Sequence, residues 1–115
     1  MAATAWSFYN SFKEKLGNAV FDLDAATPNF NMALFTNSAS TNANNVALST
    51  YASIANEVAN GNGYATGGVS VSGRTWASTA TNKYRWDATA VIWTATGGDI
   101  ANIKYAIIYK SGGAL

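Results

Sequence analysis

The chain has 115 residues, a formal charge of +1, no histidine, no cysteine and only 11% charged residues, so it is one domain without the side chains on which most catalytic and metal chemistry runs. Its seven Lys/Arg and six Asp/Glu form no basic run, which removes the electrostatic footprint expected of a nucleic-acid binder or an anionic-membrane binder. What remains, Ala, Thr, Ser, Asn and Gly with four Trp, six Tyr and five Phe, builds strands, turns and contact surfaces, and it points to a non-enzymatic structural or binding part.

The first element is a helix over Ala5–Leu16, with Ala5, Tyr9, Phe12 and Leu16 on one face, Thr4 as its N-cap and Gly17 as a left-handed C-cap. Lys13-Glu14-Lys15 reads as its solvated face. After Ala19–Asp24 and the only proline, Pro28, the run Asn29–Thr36 alternates as a half-buried strand with Phe30, Met32 and Leu34 inward. Asn37–Asn45 is so dense in Asn, Ser, Thr and Ala that it reads as a long surface loop, and Asn37, Asn42, Asn44 and Asn45 become candidate contact residues. Val46–Val58 reads as a short helix through Leu48, Tyr51, Ile54 and Val58, followed by turns at Asn60–Gly63 and Thr66–Gly68.

From Gly68 onward the pattern is strands: Val69–Trp76, Lys83–Ala88, Ala90–Ala95 and Asn102–Lys110. In the last of these Ile103, Tyr105, Ile107 and Tyr109 share one face, and Lys104, Ala106, Ile108 and Lys110 share the other. The expected fold is mainly β: an antiparallel β-sandwich of jelly-roll-like form with one N-terminal α-helix, as a single domain over residues 1–115. Its core is expected to hold Phe30, Met32, Leu34, Trp93, Ile103, Tyr105 and Ile107. Ser111-Gly112-Gly113 is a reversal signal with little chain after it, so either the returning strand is missing from a shortened chain or Ile103–Tyr109 is an edge strand met by another chain; the first is favoured.

Candidate chemistry is thin. Asp22 and Asp24, two apart, could act as a carboxylate pair or hard-cation site, but solvent-facing positions beside Phe21 and Leu23 explain them more simply. Glu57 and Asp99 have no partner that sequence identifies. The glycine clusters lack the Lys-Ser/Thr of a phosphate loop and read as turns, and no serine has a histidine or a Ser-x-x-Lys to activate it. No cofactor and no metal are expected. Trp76, Tyr84, Trp86 and Trp93 suit core or interface packing better than a stacking platform, and Arg74, Lys83 and Arg85 flank them as the rim of a protein contact.

Taken together, Tyr9–Leu16, Phe21–Asp24, Met32–Thr36, Asn56-Glu57-Val58 with Gly63-Tyr64 and Gly67-Gly68, Val91–Ala95 and Ala106–Tyr109 resemble a family of small virion structural proteins of tailed bacteriophages, over nearly the whole chain. The resemblance implies a capsid cement or decoration protein, made in the host cytoplasm and carried on the capsid surface, that clasps major capsid subunits or other virion proteins. A homo-oligomer, with a trimer suiting local three-fold positions, and no nucleic-acid or membrane partner complete the expectation. Glu57 carries over only as a structural or interface position. The alternative is a carbohydrate- or receptor-binding module of a phage tail or head fibre, working through exposed Trp and Tyr and the Asn37–Asn45 loop.

Overall fold

A computed structural model describes residues 5–24, 29–39, 43 and 45–115. The chain is mainly β, with two antiparallel sheets and one helix, as the sequence leads one to expect. The helix α1 spans Asn10–Gly17, and the strands are β1 (Phe30–Thr36), β2 (Val69–Val71), β3 (Thr75–Ala80), β4 (Lys83–Asp87) and β5 (Ile103–Lys110). One sheet has the order β2-β1-β5, and β3 and β4 form a separate hairpin.

The helix is shorter at its start than its periodicity implies. Residues 5–9 are not helical, because Trp6-Ser7-Phe8-Tyr9 is a run of middling helix formers and its end is bonded to another segment: Tyr9 Oη donates to the Ala43 carbonyl at 2.9 Å, and Asn10 N–H to the Val46 carbonyl at 2.9 Å. Tyr9 takes the N-cap position without a side-chain cap; Thr4 lies outside the described residues. At the other end Gly17 is still helical. The left-handed residue is Ala19, at φ 57°, with its N–H on the Leu16 carbonyl at 3.3 Å and the Val20 N–H on the Lys15 carbonyl at 2.8 Å, the two bonds of a Schellman stop.

β1 is the spine, and both its faces are covered. Ala33 and Phe35 (0% exposed) point into a cluster with Ala39, Ile54, Ile107, Tyr109 and Leu115, while Phe30 points the other way into a cluster with Phe21 and Val71. Leu34 joins Val58 and Tyr64 in a third cluster, against which Trp93 and Ile100 pack. Alternation alone assigns Phe30, Met32 and Leu34 to the inside; a central strand buried on both faces also takes the residues between them.

On one side β1 pairs with β5, Ala33 opposite Ile107 and Asn31 opposite Tyr109. On its other side it pairs first with β2, Phe30 opposite Val71, and then with a stretch that extends the ladder: Val58 N–H donates to the Leu34 carbonyl at 2.9 Å and Thr36 N–H to the Asn56 carbonyl at 3.0 Å. This last pairing replaces the helix expected over Val46–Val58. Asn56 has φ 64°, a left-handed value that no α-helix tolerates, and the only helical piece there is the 3-10 turn Tyr51–Ser53.

Two further strands differ from expectation. Val69–Trp76 is broken into β2 and β3, since Gly73 adopts φ 60° and Thr89 N–H bonds the Ser72 carbonyl at 2.9 Å. Residues 90–95 form no strand: Trp93 is half-buried on the third cluster while Ile92 faces solvent. Of the expected core, Phe30, Leu34 and Ile107 are buried, Met32, Trp93 and Tyr105 are partly so, and Ile103 is 47% exposed because it opens β5 beyond the clusters. After Lys110 the chain reverses over Ser111–Gly113, Ala114 pairs with both Lys110 and Thr50, and Leu115 inserts among Ile107, Tyr109 and Ile54.

Candidate interaction surface

The β3–β4 hairpin contributes little to the core. Every residue of β3 is exposed, and in β4 only Trp86 is partly covered. The register places Trp76 opposite Trp86 and Ser78 opposite Tyr84, so these four side chains share one face; Ala77 and Arg85 pair on the other.

Trp86 is the anchor. Its ring meets Phe30 edge-on at 5.8 Å and its Nε1–H donates to the Leu23 carbonyl at 2.9 Å. It ends a row of rings in which Phe8 stacks on Phe12 (5.1 Å), Phe12 meets Phe21 at a tilt (5.4 Å) and Phe21 meets Phe30 edge-on (5.7 Å), so helix, sheet and hairpin are joined through aromatic contacts. A second tie comes from Asp24, whose Oδ1 accepts the Trp76 N–H at 3.1 Å, while Asp22 Oδ1 accepts the Asp24 N–H at 3.1 Å. These carboxylates secure backbone, and no group of three metal-ligating side chains occurs among the described residues. Beyond the anchor the same face is open: Trp76 (44% exposed) and Tyr84 (64% exposed) stack at 5.8 Å with their planes 16° apart.

The three basic residues do not form one cluster. Arg74 lies half-buried at the hairpin's base with its guanidinium 5.1 Å from the Phe30 ring centre, Lys83 begins β4 at the tip, and Arg85 pairs with Asp87 at 2.9 Å on the face opposite Trp76. The Asn37–Asn45 stretch is elsewhere. Asn37 follows the Thr36 end of β1, and the hairpin docks at its Phe30 end, about 20 Å away along a seven-residue strand. Asn37 Oδ1 accepts from Lys104 Nζ at 2.9 Å and Asn45 Oδ1 accepts the Ala47 N–H at 3.1 Å; Asn42 and Asn44 lie outside the described residues.

Sequence left Glu57 without a partner, and the structure gives it three. Tyr51 Oη donates to Oε2, and Tyr64 Oη (2.5 Å) and the Gly67 N–H (2.7 Å) donate to Oε1. Tyr64 Oη in turn accepts the buried Leu34 N–H at 3.0 Å, and Tyr109, stacked on Tyr51 at 4.1 Å, donates to the Gly67 carbonyl at 2.8 Å. Burial first, and then the hydrogen bond to Glu57, push the Tyr51 and Tyr64 phenols well above their ordinary value, so both stay protonated donors. The carboxylate fastens the irregular stretch from Tyr51 to Gly67 onto β1 and β5; its local signal was the Asn56-Glu57-Val58 motif and the tyrosine-glycine pairs around it.

No helix among the described residues is long and apolar enough to cross a membrane. A scan against models of known protein families finds no match for the chain, and neither do searches of curated proteins and of solved structures.

Proposed function

We propose that this chain is a non-enzymatic structural protein of a tailed-bacteriophage particle, a cement or decoration protein that bridges major capsid subunits at the capsid surface. The observation that carries the reading is the β3–β4 hairpin, exposed on both faces, with Trp76 and Tyr84 stacked in the open beyond a single anchoring Trp86. A two-stranded hairpin is marginal in water by itself, and large aromatic side chains are the groups that protein interfaces concentrate at their centres. Lys83 and the Arg85–Asp87 pair supply a polar rim, and the low charge of the whole chain raises little repulsion to close packing in a shell. Self-association as a trimer would match a shell's local three-fold positions.

The test is occupancy on purified particles. Trp76→Ser with Tyr84→Ser should lower the copy number per capsid by tenfold or more, about 1.4 kcal/mol or more of binding, while the free protein keeps its melting temperature. Full occupancy with both rings removed would take the hairpin out of the contact.

One observation favours a second reading. Two rings stacked in solvent also suit the apolar face of a sugar, so the receptor-binding module of a tail or fibre is kept as the alternative. It requires glycan or cell binding by the isolated chain, lost in the same double variant, and a low copy number in the particle.

A further inference from the structure

β5 lies at the edge of its sheet. In an antiparallel ladder alternate residues turn both backbone groups to the same side. Lys110 sends its N–H outward to the Ala114 carbonyl at 2.8 Å and receives the Gly113 N–H on its own carbonyl at 2.8 Å, whereas Ser111 turns its N–H inward to the Asn29 carbonyl at 2.8 Å. The alternation therefore directs the N–H and C=O of Ile108 and Ala106 outward, as far as the register shift at Lys104, and among the described residues no backbone group meets them.

Edges of this length are commonly guarded by free lysines or a bulge. Neither guard falls on Ala106 or Ile108. Lys104 Nζ is drawn to Asn37 Oδ1 at 2.9 Å, Lys110 Nζ to the Val20 carbonyl at 3.2 Å, and the register shift of this pair falls at Phe35/Thr36, where the strand begins.

The line of an added strand is already started. Ala114 lies opposite Lys110 and packs with Ile108 in the cluster on one face, and Leu115 is buried with Ile107 and Tyr109 on the other. The far side of this short line is held by Thr50 opposite Ala114 and by the Leu115 N–H on the Ser49 carbonyl at 3.1 Å. Its two residues show what the track takes: an extended antiparallel backbone with apolar side chains that alternate between the two clusters.

We propose that the outer edge of β5 is a strand-acceptor site, which takes an extended segment of another polypeptide, antiparallel and with alternating apolar residues, on the N–H and C=O groups of Ala106 and Ile108. Recognition of this kind draws its affinity from main-chain hydrogen bonds and its specificity from alternate side chains, here those that would cover Tyr105 and Ile107 in line with Leu115. It uses a surface and a mode distinct from the Trp76–Tyr84 face, so either can fail without the other.

The experiment is amide hydrogen exchange on the full chain with and without a blocked synthetic peptide of about six residues that alternates valine and threonine, long enough to span the open groups. Exchange at Ala106 and Ile108 should slow by about tenfold or more, with Ile107 and Tyr109, already bonded to β1, unchanged. Ala106→Pro removes an outward N–H and no bond to β1, so it should abolish the protection while Ile107 and Tyr109 stay protected; if that variant does not fold, the wild-type response to peptide decides alone. Unchanged exchange at these two amides would overturn the proposal. Protection that rises with protein concentration in the absence of peptide would also overturn it, by assigning the edge to a second copy of this chain.

Discussion

Glu57 is the residue on which the least regular part of the chain depends. Its carboxylate takes three donors, two from tyrosines on either side of it in sequence and one from the Gly67 backbone, and with Tyr109, which stacks on Tyr51 and bonds the Gly67 carbonyl, it ties this stretch together. Glu57→Gln keeps the shape and loses the charge; since hydrogen bonds to charged groups contribute about 1.5–3 kcal/mol each, denaturant unfolding should show a loss of about 2 kcal/mol. A second residue-scale prediction concerns Gly68, at φ 71°, where a Cβ would run into the Met32 carbonyl on β1. Gly68→Ala should cost about 2 kcal/mol or more, combining left-handed strain with a backbone displacement, and a stability equal to wild type would refute the close approach. The Glu57 cluster was not legible in the sequence, because its members are brought together by the left-handed turn at Asn56 and by pairing of residues 56–58 with β1. Local spacing encodes neither.

At the scale of elements, β1, β4 and β5 were read almost to the residue, since each has a continuous apolar alternation bounded by turn residues. Two of the errors share one cause. Wherever apolar residues recur at mixed spacing, as over Val46–Val58 and Ala90–Ala95, pattern cannot distinguish a helix or strand from an extended segment buried one side chain at a time, and Ile54, Val58 and Trp93 are of that kind. Two predictions belong here. Trp86→Ala should cost about 2 kcal/mol, less than a fully buried tryptophan, and should accelerate exchange across β3 and β4 while leaving β1 and β5 protected. The raised phenols of Tyr51 and Tyr64 set a pH dependence. The folded state holds their protons more tightly than the unfolded chain, so their contribution is fully present below pH 10.0, the ordinary phenol value, and is lost as pH rises above it. Stability should fall from about pH 10 upward, with Tyr64→Phe flattening the fall; no decline there would mean the phenols are not held as described.

For the molecule as a whole, the sheet, the helix and the hairpin are joined at Phe30, where the row of rings from Phe8 to Trp86 crosses β1. The body has a core of three clusters, with Trp6, Ile92 and Ile103 left exposed; of the hairpin strands only Trp86 packs on that core. The proposed reading as a virion structural protein rests on the hairpin because its two exposed rings, Trp76 and Tyr84, are stacked together on one face. The mainly β architecture was legible from alternation and turns. The location of the exposed aromatic pair was not, because sequence assigns Trp76 and Tyr84 to a contact face without saying whose face they meet. The most direct measurement is a density map of the intact phage particle with this chain located in it. The account predicts many copies on the capsid surface, each with Trp76 and Tyr84 covered by a neighbouring capsid subunit; a chain confined to a few copies at a tail or fibre tip, with those two rings facing solvent, would contradict it.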